Sequence, residues 1–161
     1  MYFCRTLLFL MAFVPSHRIL IIDASLKNCL DESDPAEFSR RYFDAMLDAV
    51  RMKPLAPMSI SRSVDSAAPG FSGVQEITTS HTSFHYFWEP HHPQKNPNVH
   101  IDLYSCAPFA YEDVIRVAHE YFQLAEWTGN YIERTLNPAD RNTLLLHGME
   151  GNILERSSLH F

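Results

Sequence analysis

The hydrophobic positions change period along the chain, and the changes mark out elements. His17 to Ala24, HRILIIDA, is a run of β-branched and apolar residues that predicts a buried strand. Residues 25–33 are polar and predict a connection. From Phe38 the period becomes helical, with Phe38, Tyr42, Ala45, Met46, Ala49 and Val50 on one stripe. Asp34-Pro35-Ala36-Glu37 supplies the start: an acidic cap, a proline in the first turn and a glutamate three residues after the cap. Pro54 and Pro57 predict its end. Met58, Ile60 and Val64 then alternate with Ser59, Ser61 and Ser63, which predicts a half-buried strand. Ala67-Ala68-Pro69-Gly70 reads as a turn, and residues 73–79 as a further strand.

The clearest alternation comes next. Thr82, Phe84, Tyr86 and Trp88 share one face of a strand, and His81, Ser83, His85, Phe87 and Glu89 the other. Val99, Ile101, Leu103 and Ser105 alternate in the same way with His100, Asp102, Tyr104 and Cys106. With the apolar faces on the core, His85, Glu89, Asp102 and Cys106 gather on the opposite face, and Ser80 is expected to join them in a common site. Residues 90–98, with three prolines and two histidines, predict an exposed loop between the strands. Tyr111 to Ala125 carries Val114, Ile115, Ala118, Tyr121, Phe122 and Ala125 on one helical stripe. Beyond residue 127, Pro138-Ala139-Asp140 predicts a short helix running through Leu146, and the last ten residues read as a tail. The order strand, helix, several strands, helix predicts an α+β fold, a two-layer sandwich of an antiparallel sheet with helices on one face. Its parts are a hydrophobic leader or extra strand at 1–15, a domain at 16–126 and a C-terminal extension at 127–161.

Composition narrows the function. The chain has 161 residues, 46% of them hydrophobic, enough for one domain with a core. Its net charge of −6, without a basic run, argues against nucleic-acid binding. Cys4, Cys29 and Cys106 make an odd count with no CxxC pair, which points away from disulfides and structural zinc. A reducing, cytoplasmic compartment is the simpler expectation, and it leaves Cys106 a free thiol. Residues 7–14, LLFLMAFV, imitate the core of a secretory signal, but VPS follows them where a small-x-small site would stand. No stretch of the sequence is long enough to span a membrane. His81, His85, His91, His92 and His100 cluster around one hairpin and leave a non-catalytic, metal-binding module as an alternative, although no Cys or carboxylate spacing completes a site.

Four motifs resemble those of the short prokaryotic S-adenosylmethionine decarboxylases, which are pyruvoyl enzymes. They are Gly70-Phe71-Ser72-Gly73, Ser80-His81-Thr82-Ser83-Phe84-His85, Trp88-Glu89 and Asp102-Leu103-Tyr104-Ser105-Cys106. The resemblance covers about residues 16–125 and implies a role for each matched position. Ser80 becomes the precursor of a pyruvoyl group: its hydroxyl attacks the Thr79 carbonyl, and elimination then breaks the chain before Ser80. His85 is matched to the base of processing, imidazole being the side chain that exchanges protons near neutral pH. Ser72 assists by hydrogen bonding. The resulting ketone is expected to condense with a substrate amine as a Schiff base and delocalise the charge left when carbon dioxide departs. Cys106 is matched to the acid that reprotonates the α-carbon, and Glu89 to a substrate-binding residue. A second subunit is expected to complete the site, giving a homodimer.

Two positions depart from the family pattern. Thr79 replaces the glutamate before the serine, which the chemistry tolerates because the acyl shift uses the backbone carbonyl. Ser66 stands where the family has an aromatic that stacks on adenine, and the tryptophan completing the stack falls at Phe87. Losing such a platform removes about 1–3 kcal/mol of stacking. A smaller amino acid such as ornithine or arginine is therefore the alternative substrate.

Overall fold

The computed structural model describes residues 17–31, 33–65, 69–88, 97–135, 137 and 140–160. The leader 1–15, Ser66, Glu89, His91 and His92 lie outside the described residues. Among the described residues, eight strands form one sheet: β1 (His17–Leu26), β2 (Ser59–Arg62), β3 (Gly70–Ile77), β4 (Ser80–Phe87), β5 (Asn98–Ser105), β6 (Leu124–Arg134), β7 (Asn142–Met149) and β8 (Asn152–His160). The helices are α1 (Pro35–Val50) and α2 (Tyr111–Phe122). Strand order is β2-β3-β4-β5-β1-β6-β7-β8, and every neighbouring pair is antiparallel. The α+β sandwich expected from the sequence is the fold.

β1 lies between β5 and β6, which explains its nearly unbroken apolar run. Leu20 and Ile22 are buried on the helix side, while Ile19 and Ile21 are half-buried on the open side. The core centres on Phe84, whose ring lies 5.3–6.3 Å from those of Phe38, Tyr42, Phe43, Phe71 and Phe122. Both helices therefore sit on one face of the sheet, as their apolar stripes require.

The predicted cap of α1 is present: Asp34 Oδ1 accepts the Glu37 N–H at 2.9 Å, a contact worth about 1 kcal/mol. The helix stops at Arg51, in a left-handed conformation with φ +57°, before either proline. α2 ends at Phe122, earlier than expected. Gln123 takes φ +53°, and Leu124 already belongs to β6. No helix among the described residues is long and apolar enough to cross a membrane.

The C-terminal reading requires correction. Residues 142–146, expected in a short helix, lie in β7, and the expected tail is β8. Leu144, Leu145 and Leu146 do not alternate and favour helix locally. Pairing with β6 overrides that preference. The hairpin is fastened at its turn, where Trp127 Nε1–H donates to the Glu150 carbonyl at 2.8 Å. Gly148 lies so close to Trp127 that an added Cβ would stand 2.2 Å from the ring.

Candidate processing and active site

The candidate residues form two groups at opposite ends of β4. The first surrounds the β3–β4 turn. Ile77 pairs with Ser80, leaving Thr78 and Thr79 as a two-residue loop. Such loops favour positive φ within the loop and usually contain Gly or Asn. This loop has neither, and positive φ falls instead on Ser80, at +154°. That backbone region is costly for a residue with a Cβ, on the order of 1–3 kcal/mol. Packing on both sides holds the loop in place. The Thr78 N–H donates to the Lys53 carbonyl at 3.0 Å, and Thr79 Oγ1 donates to Met52 Sδ at 3.2 Å. From the other side, the Cys106 N–H donates to the Thr79 carbonyl at 3.0 Å. The Ser80 hydroxyl lies 3.2 Å from Nδ1 of His81.

Cys106 follows the end of β5, in a bend, rather than continuing the strand's alternation as expected. Its thiol is free and half-buried. Register pairs Ser80 with Ser105, so strand pairing itself brings residues 79–80 and 105–106 together.

The second group is Ser72 and His85, opposite one another on β3 and β4, with Oγ and Nδ1 2.8 Å apart. The glycines of Gly70-Phe71-Ser72-Gly73 make this approach possible. A Cβ on Gly70 would come within 2.0 Å of the Tyr86 carbonyl oxygen, and one on Gly73 within 2.6 Å of the Phe84 ring. Phe87 stacks nearly parallel to His85 at 6.4 Å and also approaches His100, which bonds Asp23 at 2.6 Å. Phe87 thus places an aromatic surface beside the Ser72–His85 pair.

The expected single cluster does not form within one chain. His85 stands five positions after Ser80 on one strand, about 16 Å away along the strand. Asp102 pairs with Ser83, between the two groups. Glu89 lies outside the described residues. Among the described residues, no three His, Cys, Asp or Glu side chains come together as metal ligands.

The structure also adds neighbours that the sequence did not single out. His81 packs against Tyr104 with ring centroids 5.8 Å apart. The Tyr104 hydroxyl lies 2.6 Å from His17 Nδ1, and Arg134 sits over the Tyr104 ring at 5.3 Å. Alternation placed Tyr104 on the open face, but only register sets it beside His81.

Among comparisons with known proteins, the family model described as S-adenosylmethionine decarboxylase matches residues 20–135. No curated protein matches the chain.

Proposed function

The chain belongs to the S-adenosylmethionine decarboxylase family, and from that premise we propose that it is a self-processing, pyruvoyl-dependent decarboxylase of polyamine synthesis. The observation that supports this best is the Thr79–Ser80 junction. A hydroxyl, a strained backbone and a carbonyl that accepts the Cys106 N–H meet at one peptide bond. These are the groups that an amide-to-ester shift requires. They also suit a pyruvoyl group at position 80, with the half-buried Cys106 close to it in the fold. When formed, that group supplies an electron sink for the charge left by departing carbon dioxide.

Each protein side chain then has a part. Cys106 returns a proton to the substrate α-carbon as the thiol. Ser72 and His85 act as a hydrogen-bonded pair, and Phe87 offers a stacking surface to the substrate. Because this pair stands far from Ser80 in its own chain, a second copy must bring its pair to the first copy's junction. The open face of the sheet suits such a homodimer. It carries Ile19, Ile21, Ile132 and Leu145, all half-buried, among polar rows such as Ser72, His85, His100 and Asp23. A two-fold axis places each pair beside the other junction.

S-adenosylmethionine is the proposed substrate. The serine at position 66 supports a second reading, a smaller amino acid such as ornithine or arginine. Intact-mass measurement of purified protein tests the processing. Fragments 1–79 and 80–161 are expected, the second lighter by one ammonia than simple hydrolysis would leave it. A single uncut chain would overturn the proposal. Carbon dioxide release from S-adenosylmethionine, ornithine and arginine then separates the two substrate readings.

A further inference from the structure

We infer that His81, rather than His85, is the base for the acyl shift at Ser80. The inference rests on the self-processing reading above and deepens it by separating two proton transfers. His81 Nδ1 lies 3.2 Å from the Ser80 hydroxyl, within reach of the reacting proton. His85 of the same chain lies about 16 Å along the strand and bonds Ser72 instead. The Thr79 carbonyl already accepts the Cys106 N–H, so a donor points at the oxygen on which negative charge will build. Tyr104, itself bonded to His17, backs the His81 ring. Nucleophile, base, oxyanion donor and a strained backbone at Ser80 are therefore all present in one chain.

The shift balances without a co-reactant. With its proton on Nε2, His81 accepts the hydroxyl proton at Nδ1 while Ser80 Oγ bonds to the Thr79 carbonyl carbon. The carbonyl π electrons move to the Thr79 oxygen. The tetrahedral carbon then collapses, the bond between the Thr79 carbonyl carbon and the Ser80 nitrogen breaks, and the imidazolium returns its proton to that nitrogen. The product is an ester with a free Ser80 amine.

Scission is a later and different step. A base removes the proton on Ser80 Cα, and the electron pair forms the Cα–Cβ double bond as the Thr79 carboxylate leaves Cβ; the resulting enamine takes up a proton on Cβ to become an imine, and water replaces its nitrogen as ammonia. The proton first removed sits on carbon and calls for a second base, the part that His85 of a second copy would take. The shift is thus a single-chain event, and scission depends on assembly.

The test uses the full chain as wild type, His81→Ala, His81→Gln and His85→Ala. Cleavage is followed by electrophoresis and intact mass, before and after hydroxylamine, which cuts esters and spares amides. The His85→Ala chain is expected to stay full length until hydroxylamine cuts it before position 80. His81→Ala is expected to stay full length even with hydroxylamine, its processing slowed on the order of 100-fold or more. Added imidazole should restore cleavage, because His81 is exposed. His81→Gln retains a polar side chain of similar size and should be equally slow while folding normally. Wild-type cleavage in either His81 variant, ester accumulation in His81→Ala, or a natively folded His81→Ala that imidazole fails to rescue would overturn this role and leave the decarboxylase reading standing. An uncut wild-type chain would overturn the reading itself.

Discussion

Tyr42 is fully buried where α1, α2 and the sheet meet, and its hydroxyl has no hydrogen-bond partner among the described residues. A buried hydroxyl without a partner loses its hydration and gains nothing in return. Tyr42→Phe keeps the ring contacts and removes that cost, so it should raise stability by about 1 kcal/mol in denaturant unfolding. Burial also pushes the Tyr42 ionisation upward. The sign follows from linkage. The neutral form is favoured in the folded chain, so the contribution is complete below the unfolded value near pH 10. It is lost as pH rises above that value, because only the unfolded chain can ionise. The alkaline fall in stability should therefore be shallower in Tyr42→Phe than in wild type; equal slopes would show that this hydroxyl is hydrated or paired.

Within the elements, local preference and pairing disagree most in β7. Its run of leucines favours helix, yet it lies between β6 and β8. Gly148 provides a direct check because it packs against the buried Trp127 ring. Gly148→Ala forces a methyl group to within 2.2 Å of that ring and 2.4 Å of the Asn152 carbonyl. Overpacking of this kind costs about 1–3 kcal/mol. Thermal unfolding of the variant should occur at lower temperature, with Trp127 fluorescence shifted to longer wavelength as the indole gains water.

For the whole molecule, the division of the candidate site between the two ends of β4 makes assembly the deciding event. Ser80→Ala removes the junction hydroxyl but keeps Ser72 and His85. His85→Ala keeps the junction but removes the pair's imidazole. Neither variant should be cut when expressed alone. Co-expressed, their mixed dimers should contain one complete site, so the His85→Ala chain should be cut and the Ser80→Ala chain should stay whole. Electrophoresis with differently tagged chains reads this directly. Sedimentation should give the mass of two chains. A monomer at working concentration, or no cleavage in the mixture, would remove the case for a shared site.

The sequence alone determined the elements whose pattern repeats locally: β1, the cap and stripe of α1, and the alternating faces of β4 and β5. It also carried the serine, histidine and cysteine motifs, because residue type and spacing are written along the chain. It did not determine which strands are neighbours or which rows align. The docking of β6 beside β1, the His81–Tyr104–His17 contact and the Cys106 N–H aimed at Thr79 all arise from pairing between distant segments. Tertiary structure decided which segments meet Ser80: Met52, Lys53 and Cys106 hold its turn, while His85, five letters on, stands toward the other end of the same strand. An extended backbone advances about 3.3 Å per residue and reverses its side chains at each step, so nearness in sequence becomes distance in space.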